Sequence, residues 1–268
     1  MWGNRRGEGA KKDGKPSGDA QAGNERLPEE RDVKTRQERL RAAACTAVDA
    51  RGEPGMVVGL GTGSTASWAV RRIGEKLASG ELEDVRGIPT SETTAGLARE
   101  VAIPLSSLAG SRPEITIDGA DEVDPGLALI KGRGGALLRE QIVAAAGDGL
   151  VVVVDDSKLV DSLGRGALPV EVEPFGWEAT CKALSSLGCE PRLRPLEPDG
   201  ERPFVTDGGH YTVDCLFPSI ADPASLGTEI KLIPGALEHG LFVGLVRTAF
   251  VAREDGTAVM SAPAPQAG

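Results

Sequence analysis

Apolar and polar positions follow two rhythms along this chain. From Val33 to Ala50, Leu40, Ala43, Ala44, Ala47 and Val48 recur three and four residues apart, with Arg36, Arg39 and Arg41 spread elsewhere, which predicts an amphipathic helix. Glu53, Pro54 and Gly55 then turn the chain. Beyond them the pattern changes to short apolar runs, each left through glycine or polar residues into a helical stretch. MVVGL passes through GTGST into a helix ending near Gly80, and VRGIPTS passes into ETTAGLAREV. EITIDGADE, LALIKGRGGALLREQIVAAAG and VVVVDDSKLVDSLG continue the series. Strand, polar exit and helix in repetition predict parallel β/α topology with the exits gathered on one rim.

Past Gly164 the rhythm changes. ALPVEVEP reads as a strand, GWEATCKALSSLG as a helix, EPRLRP as a strand, and PFVTDGGHYTVDCLF as a hairpin turning at Asp207, Gly208 and Gly209. A helix and strand follow through Leu226 to Ile233 and Leu241 to Val243, and RTAFVAREDGTAVM returns to the main sheet or its edge. The fold class is therefore α/β: a Rossmann-like open parallel sheet over residues 33–166 and 244–260, with a smaller α+β domain of ferredoxin-like type inserted at 167–243. Residues 1–32 are rich in Gly, Lys, Arg, Glu and Asp and nearly devoid of apolar side chains, so a disordered tail is expected. Residues 261–268, SAPAPQAG, read as a flexible Pro/Ala tail.

Composition narrows the function classes. Five Phe, three Trp and one Tyr in 268 residues suit strands buried between helices by small and β-branched side chains. A formal charge of −10 argues against nucleic acid and anionic membranes as partners, while leaving room for a local basic pocket that holds a small anion. No apolar run approaches membrane-spanning length, and the N-terminal segment lacks both an apolar signal core and the acid-poor composition of a transit peptide, so a soluble, cytoplasmic protein is expected. Cys45, Cys181, Cys189 and Cys215 form no CxxC pair and read as reduced thiols. His210 and His239 lie in expected turns beside glycine and are too few for a zinc site.

The densest chemistry lies between Ile117 and Gly147, with Asp118, Asp121, Lys131, a run of glycines and Glu140. The parallel pattern brings the two aspartates to the carboxyl end of a strand, where open α/β sheets bind ligands. Gly59, Gly61 and Gly63 let a backbone approach an anion, and Thr62, Ser64 and Thr65 supply donors at a helix start. Lys131, Asp155, Asp156 and Lys158 share the rim, with Ser91 to Thr94 as supporting residues. Each feature also has a plain structural account: the aspartates as a turn or a magnesium site, the GTGST loop as a capped turn, Glu140 as a carboxylate favoured by the helix dipole.

Together the blocks GTGST, DGADE, KGRGGALLRE, DDSK followed by LG and LPVEV, then VTDGG and IPGALEHGLF resemble, in order and spacing, ribose-5-phosphate isomerase type A from about Val33 to Val259. The resemblance implies an aldose–ketose isomerase that interconverts ribose 5-phosphate and ribulose 5-phosphate through an enediolate, with no metal or organic cofactor. It implies Glu140 as the general base, Lys131 as the cation that stabilises the enediolate, and Asp118 and Asp121 as ligands of sugar hydroxyls, with Asp118 assisting ring opening. Thr62, Gly63, Ser64 and Thr65 match the substrate loop, and Gly119 and Ala120 lie between the aspartates. Lys158 matches a further substrate-binding lysine, and Gly132, Arg133 and Gly134 add backbone donors. A homo-oligomer, dimer or tetramer, is implied as well.

Two departures stand out. Leu40 occupies the place of a first-helix lysine that meets the phosphate in some members, leaving Arg39 and Arg41 as substitutes, and Arg133 interrupts an otherwise all-glycine run. Two alternatives are a non-catalytic sugar-phosphate sensor and a related enzyme on the same scaffold, such as an aminosugar-phosphate deaminase or an acyl-CoA transferase. The first calls for a DNA-binding segment that polar residues 1–32 do not supply, and a deaminase-type site for a histidine among the rim loops.

Overall fold

The structure, a computed structural model, describes residues 35–198 and 200–261. The tails expected over 1–32 and 261–268 lie outside them, apart from Ser261, which closes the last strand. Helix α1 (Arg36–Arg51) opens on a reciprocal cap: the Thr35 hydroxyl accepts the Glu38 N–H, and the Glu38 carboxylate accepts the Thr35 N–H. Then come β1 (Val57–Leu60), α2 (Ser64–Ser79), β2 (Arg86–Pro89), α3 (Glu92–Glu100) and β3 (Ile115–Asp118). Two short strands, β4 (Glu122–Val123) and β5 (Leu129–Ile130), precede α4 (Leu137–Ala146) and β6 (Leu150–Asp155). The second part runs through β7 (Leu168–Val172), α5 (Trp177–Ser185), β8 (Glu190–Leu193), β9 (Tyr211–Leu216), α6 (Pro223–Lys231) and β10 (Ala236–His239). Strands β11 (Leu241–Phe242), β12 (Val246–Arg253) and β13 (Gly256–Ser261) end it.

The main sheet has the order β13-β12-β6-β3-β1-β2, parallel throughout except for β13, which returns antiparallel at one edge. Strand β6 explains why a wholly apolar run suits its middle. Val151 and Val153 join a core shared with α1 and α2, while Leu150, Val152 and Val154 join one shared with Leu129 and Phe242. Alternate side chains leave opposite faces of a strand, so a strand covered on both sides needs apolar residues at every position. From β1 the chain goes to β2 on one side and later to β3 on the other. At such a reversal the carboxyl ends of neighbouring strands bound an open crevice. The loop after β1 and Asp118 at the end of β3 both meet it.

The second sheet has the order β10-β7-β9-β8 and is antiparallel throughout. With α5 and α6 it forms the β-α-β-β-α-β arrangement of ferredoxin-like folds, as the sequence pattern predicts. Three features differ from expectation. LALIK supplies only β5, two residues long, which pairs antiparallel with β4 and β11 in a separate three-stranded sheet rather than joining the parallel one. It is as buried as a parallel strand, so hydrophobicity alone carries no sign of which sheet it joins. The hairpin at Asp207 keeps its turn, with the Thr206 N–H bonded to the His210 carbonyl, but its first arm is a single bridge between Val205 and Tyr211. Strand β9 takes β7 and β8 as its partners instead. His239 lies in β10 and not in a turn.

Candidate active site

A cleft of about 420 Å³ opens where the strand order reverses, lined from the loops after β1, β3, β5 and β6 and from α1. A larger groove of about 550 Å³ beside β4 and β13 holds no buried ionisable side chain.

Three buried ionisable groups meet at the cleft. Asp118, Lys131 and Glu140 are 1%, 3% and 4% exposed. Asp118 ends β3, and its Oδ1 accepts the Gly119 N–H at 2.7 Å. Lys131 follows β5, its backbone N–H bonded to the Gly240 carbonyl and its Nζ 5.5 Å from the centre of the Phe242 ring. Glu140 stands in the first turn of α4, on the buried stripe formed with Leu137, Val143 and Ala144. Burying a carboxylate is costly unless it is paired. Here one ammonium serves two carboxylates: Lys131 Nζ lies 2.9 Å from Asp118 Oδ2 and 3.3 Å from Glu140 Oε2, and donates a 2.6 Å hydrogen bond to the Gly119 carbonyl. Both carboxylate oxygens are at ion-pair distance, yet neither receives a hydrogen bond of good angle.

Electrostatics follow from this geometry. Burial, with Asp118 nearby and Lys131 only partly compensating, pushes the Glu140 carboxyl up to about 8. Burial also raises Asp118, against the attraction of Lys131. For Lys131 burial works against the charge, but the two carboxylates outweigh it and raise the ammonium above its ordinary value. A carboxylate poised near neutral pH beside a permanently charged cation is equipped to move a proton next to a carbonyl and steady the resulting oxyanion.

The loop after β1 forms the opposite wall. Gly61 packs so closely on Asp118 that a Cβ there would overlap the carboxylate, and Gly63 adopts φ 106, which an L side chain resists. Helix α2 starts at Ser64 with no side-chain cap and no acidic residue in its first turn, so its N-terminal amides suit an anion. The Thr62 hydroxyl bonds to Thr90, Ser91 and Thr94, at 2.7, 2.9 and 3.2 Å, which fixes the loop. Across the cleft Arg36 reaches Asp155 Oδ2 through Nη2 at 2.7 Å and Nε at 3.0 Å. That guanidinium holds the Asp155 carboxyl below its usual value in spite of burial. Lys158 is half-buried at the same end, with no ion-pair partner among the described residues.

A sequence model described as ribose 5-phosphate isomerase A (phosphoriboisomerase A) matches residues 86–256. The chain is 55% identical over 212 residues to the ribose-5-phosphate isomerase A of Gloeobacter violaceus, covering 78% of this chain and 90% of that one. The chain belongs to the ribose-5-phosphate isomerase A family. The namesake from Chloroflexus aurantiacus is 50% identical over 224 residues, covering 83% and 93% of the two chains. A solved D-ribose-5-phosphate isomerase in complex with phospho-erythronic acid superposes with a TM-score of 0.82 at 38% identity, over 85% of this chain and all of the other. The ribose 5-phosphate isomerase of Plasmodium falciparum gives 0.80 at 40% identity, over 84% and 98%.

Among the residues singled out from sequence, Thr62, Gly63, Ser64, Thr65, Gly119, Ala120, Asp121, Lys131, Gly132, Gly134, Glu140 and Lys158 all line the cleft of this family member, and Asp118 touches it through Lys131. Arg133 behaves differently. Its N–H donates to Asp121 Oδ2 at 3.0 Å, but its side chain turns away to Glu122, a buried carboxylate that also accepts the N–H groups of Gly164, Arg165 and Gly166. An arginine interrupts the glycine run because its side chain has this partner outside the cleft. The first-helix arginines are placed as well. Arg41 stacks on Trp68, and neither it nor Arg39 lines the cleft. Arg36 does, one turn before Leu40 on the same helix face. Sequence reading missed Arg36, Gln37 and Phe242. The four-residue step back from Leu40 is the signal for Arg36.

Among the described residues no helix is long and apolar enough to cross a membrane, and no group of three or more His, Cys, Asp or Glu is disposed to hold a metal ion. The four cysteines are unbridged.

Proposed function

We propose that this protein interconverts D-ribose 5-phosphate and D-ribulose 5-phosphate in the cleft at the ends of β1 and β3, by proton transfer between C2 and C1. Glu140 takes the proton from C2 of the open-chain aldose, the electron pair moves onto the carbonyl oxygen, and the enediolate is held by the Lys131 ammonium. The hydroxyl proton on the C2 oxygen passes to the C1 oxygen, and the same carboxyl then returns a proton to C1 as the C2 carbonyl forms, giving the ketose with no net loss or gain of atoms. Asp118, raised by burial and adjacent to the cleft, assists opening of the furanose ring, and Asp121 receives a sugar hydroxyl. Arg36, Lys158 and the N-terminal amides of α2 form the phosphate end.

The observation that carries this reading is the buried Glu140 carboxylate facing the buried Lys131 ammonium across a polar cleft. A sugar-phosphate sensor has no use for so costly an arrangement, since binding needs neutral donors and a phosphate cradle, not a strained base. The test is incubation with ribose 5-phosphate in deuterated water. Ribulose 5-phosphate carrying solvent deuterium at C1 is expected; binding without turnover would overturn the isomerase reading.

A further inference from the structure

Arg194 reaches the glycine loop of the active site from the small sheet. It stands just past β8, its N–H bonded to the Thr212 carbonyl and its own carbonyl accepting from the Phe204 N–H. Its Nε donates to Asp214 Oδ2 at 2.8 Å, and Nη2 reaches Asp214 Oδ1, a forked pair. The remaining Nη1 donates to two consecutive carbonyls, Gly132 at 3.2 Å and Arg133 at 3.1 Å. The guanidinium lies 5.8 Å from the centre of the Phe204 ring, which fills the space where a Cβ on Gly135 would sit. A lysine has one donor head and cannot hold a carboxylate fork and two carbonyls at once.

A trans peptide points its C=O and the following N–H in opposite directions. The Gly132 carbonyl accepts from Arg194 and also from the Gly135 N–H, at 3.2 and 3.0 Å, so the Arg133 N–H leaves the other way, and there it meets Asp121 Oδ2 at 3.0 Å. With the Arg133 carbonyl drawn to the same guanidinium, the Gly134 N–H points away from Arg194, and Gly134 lines the cleft. We infer that Arg194, anchored by Asp214, is a positioning residue for the isomerisation: it sets the two peptide planes that aim the Gly134 amide at the enediolate oxygen and hold Asp121 in place. This rests on the reaction proposed above, but the orientation of the loop can be read without turnover.

The test compares Arg194→Met and Asp214→Asn in the full chain. A loop displaced by a fraction of an ångström loses transition-state contacts more than ground-state ones, so kcat falls by about 10- to 100-fold in Arg194→Met, less in Asp214→Asn, with KM within about twofold. The amide ¹⁵N and ¹H shifts of Gly134 move in both variants, while those of Gly61 and Gly63 stay. Wild-type kcat in both variants, a rise in KM alone, or an unmoved Gly134 amide overturns the inference. Should Arg194→Met fail to fold, Asp214→Asn decides by the same two readouts. Should the wild type not turn over ribose 5-phosphate, the proposed reaction falls, and the amide shifts alone decide whether Arg194 sets the loop.

Discussion

Glu140 Oε2 stands 3.3 Å from the Lys131 ammonium, and both side chains are buried. The pair is not electrically closed, because Asp118 shares the same cation at 2.9 Å. Two carboxylates and one ammonium leave an excess of negative charge in a poorly solvated site. That excess, added to burial, raises the Glu140 carboxyl to about 8, where the proposed proton transfer needs it.

The pH profile carries this signature. Only ionised Glu140 accepts a proton, so kcat/KM climbs as pH rises and levels off above about 8, where an ordinary carboxylate would have levelled off near 5. The limb belongs to the coupled Asp118–Glu140 cluster rather than to one residue. Steady-state rates with ribose 5-phosphate across the range measure it.

Stability runs the other way. Between its ordinary value of 4.5 and about 8, Glu140 binds a proton in the folded protein that it releases in the unfolded one, so stability falls as pH rises through that window. Glu140→Gln removes the penalty. Its Tm exceeds that of wild type at about pH 9, with each kcal/mol recovered worth about 2–4 °C in a chain of this size, and the gap closes at about pH 4. Thermal melts of the two proteins at the two pH values check the sign.

Much of this was legible in the sequence because it is local. The helical spacing of Leu137, Glu140 and Ala144 sets a carboxylate on a buried stripe, and the strand–glycine–helix units set the order of the rim loops. What was not legible depends on distant contacts. Whether LALIK pairs in the parallel sheet or in the small one turns on β11, more than a hundred residues later. The arginine of α1 that faces the cleft is decided by Asp155 at the end of β6, and Arg133 is directed outward by Glu122. Phe204 and Arg194 meet the glycine loop only after the small sheet has folded back against it.

Arg36 gives a prediction about binding. Its side chain is 57% exposed and held in direction by Asp155, so in the proposed reaction it offers the phosphate a partly solvated cation. Arg36→Ala raises KM about tenfold, a loss of roughly 1.4 kcal/mol, and weakens competitive inhibition by inorganic phosphate by a similar factor. The turnover number stays within a few-fold, since the proposed reaction puts the reacting carbons at Glu140. Added salt narrows the difference, because exposed charges are screened.

The most direct test of the central claim is turnover of ribose 5-phosphate by Glu140→Gln beside wild type, with chelator present. Glutamine keeps the shape of the side chain and its place beside Lys131 but cannot accept the proton. The account predicts that kcat drops by about 10²- to 10⁴-fold while calorimetry still detects ribose 5-phosphate binding at near wild-type affinity. Full turnover in that variant would contradict it.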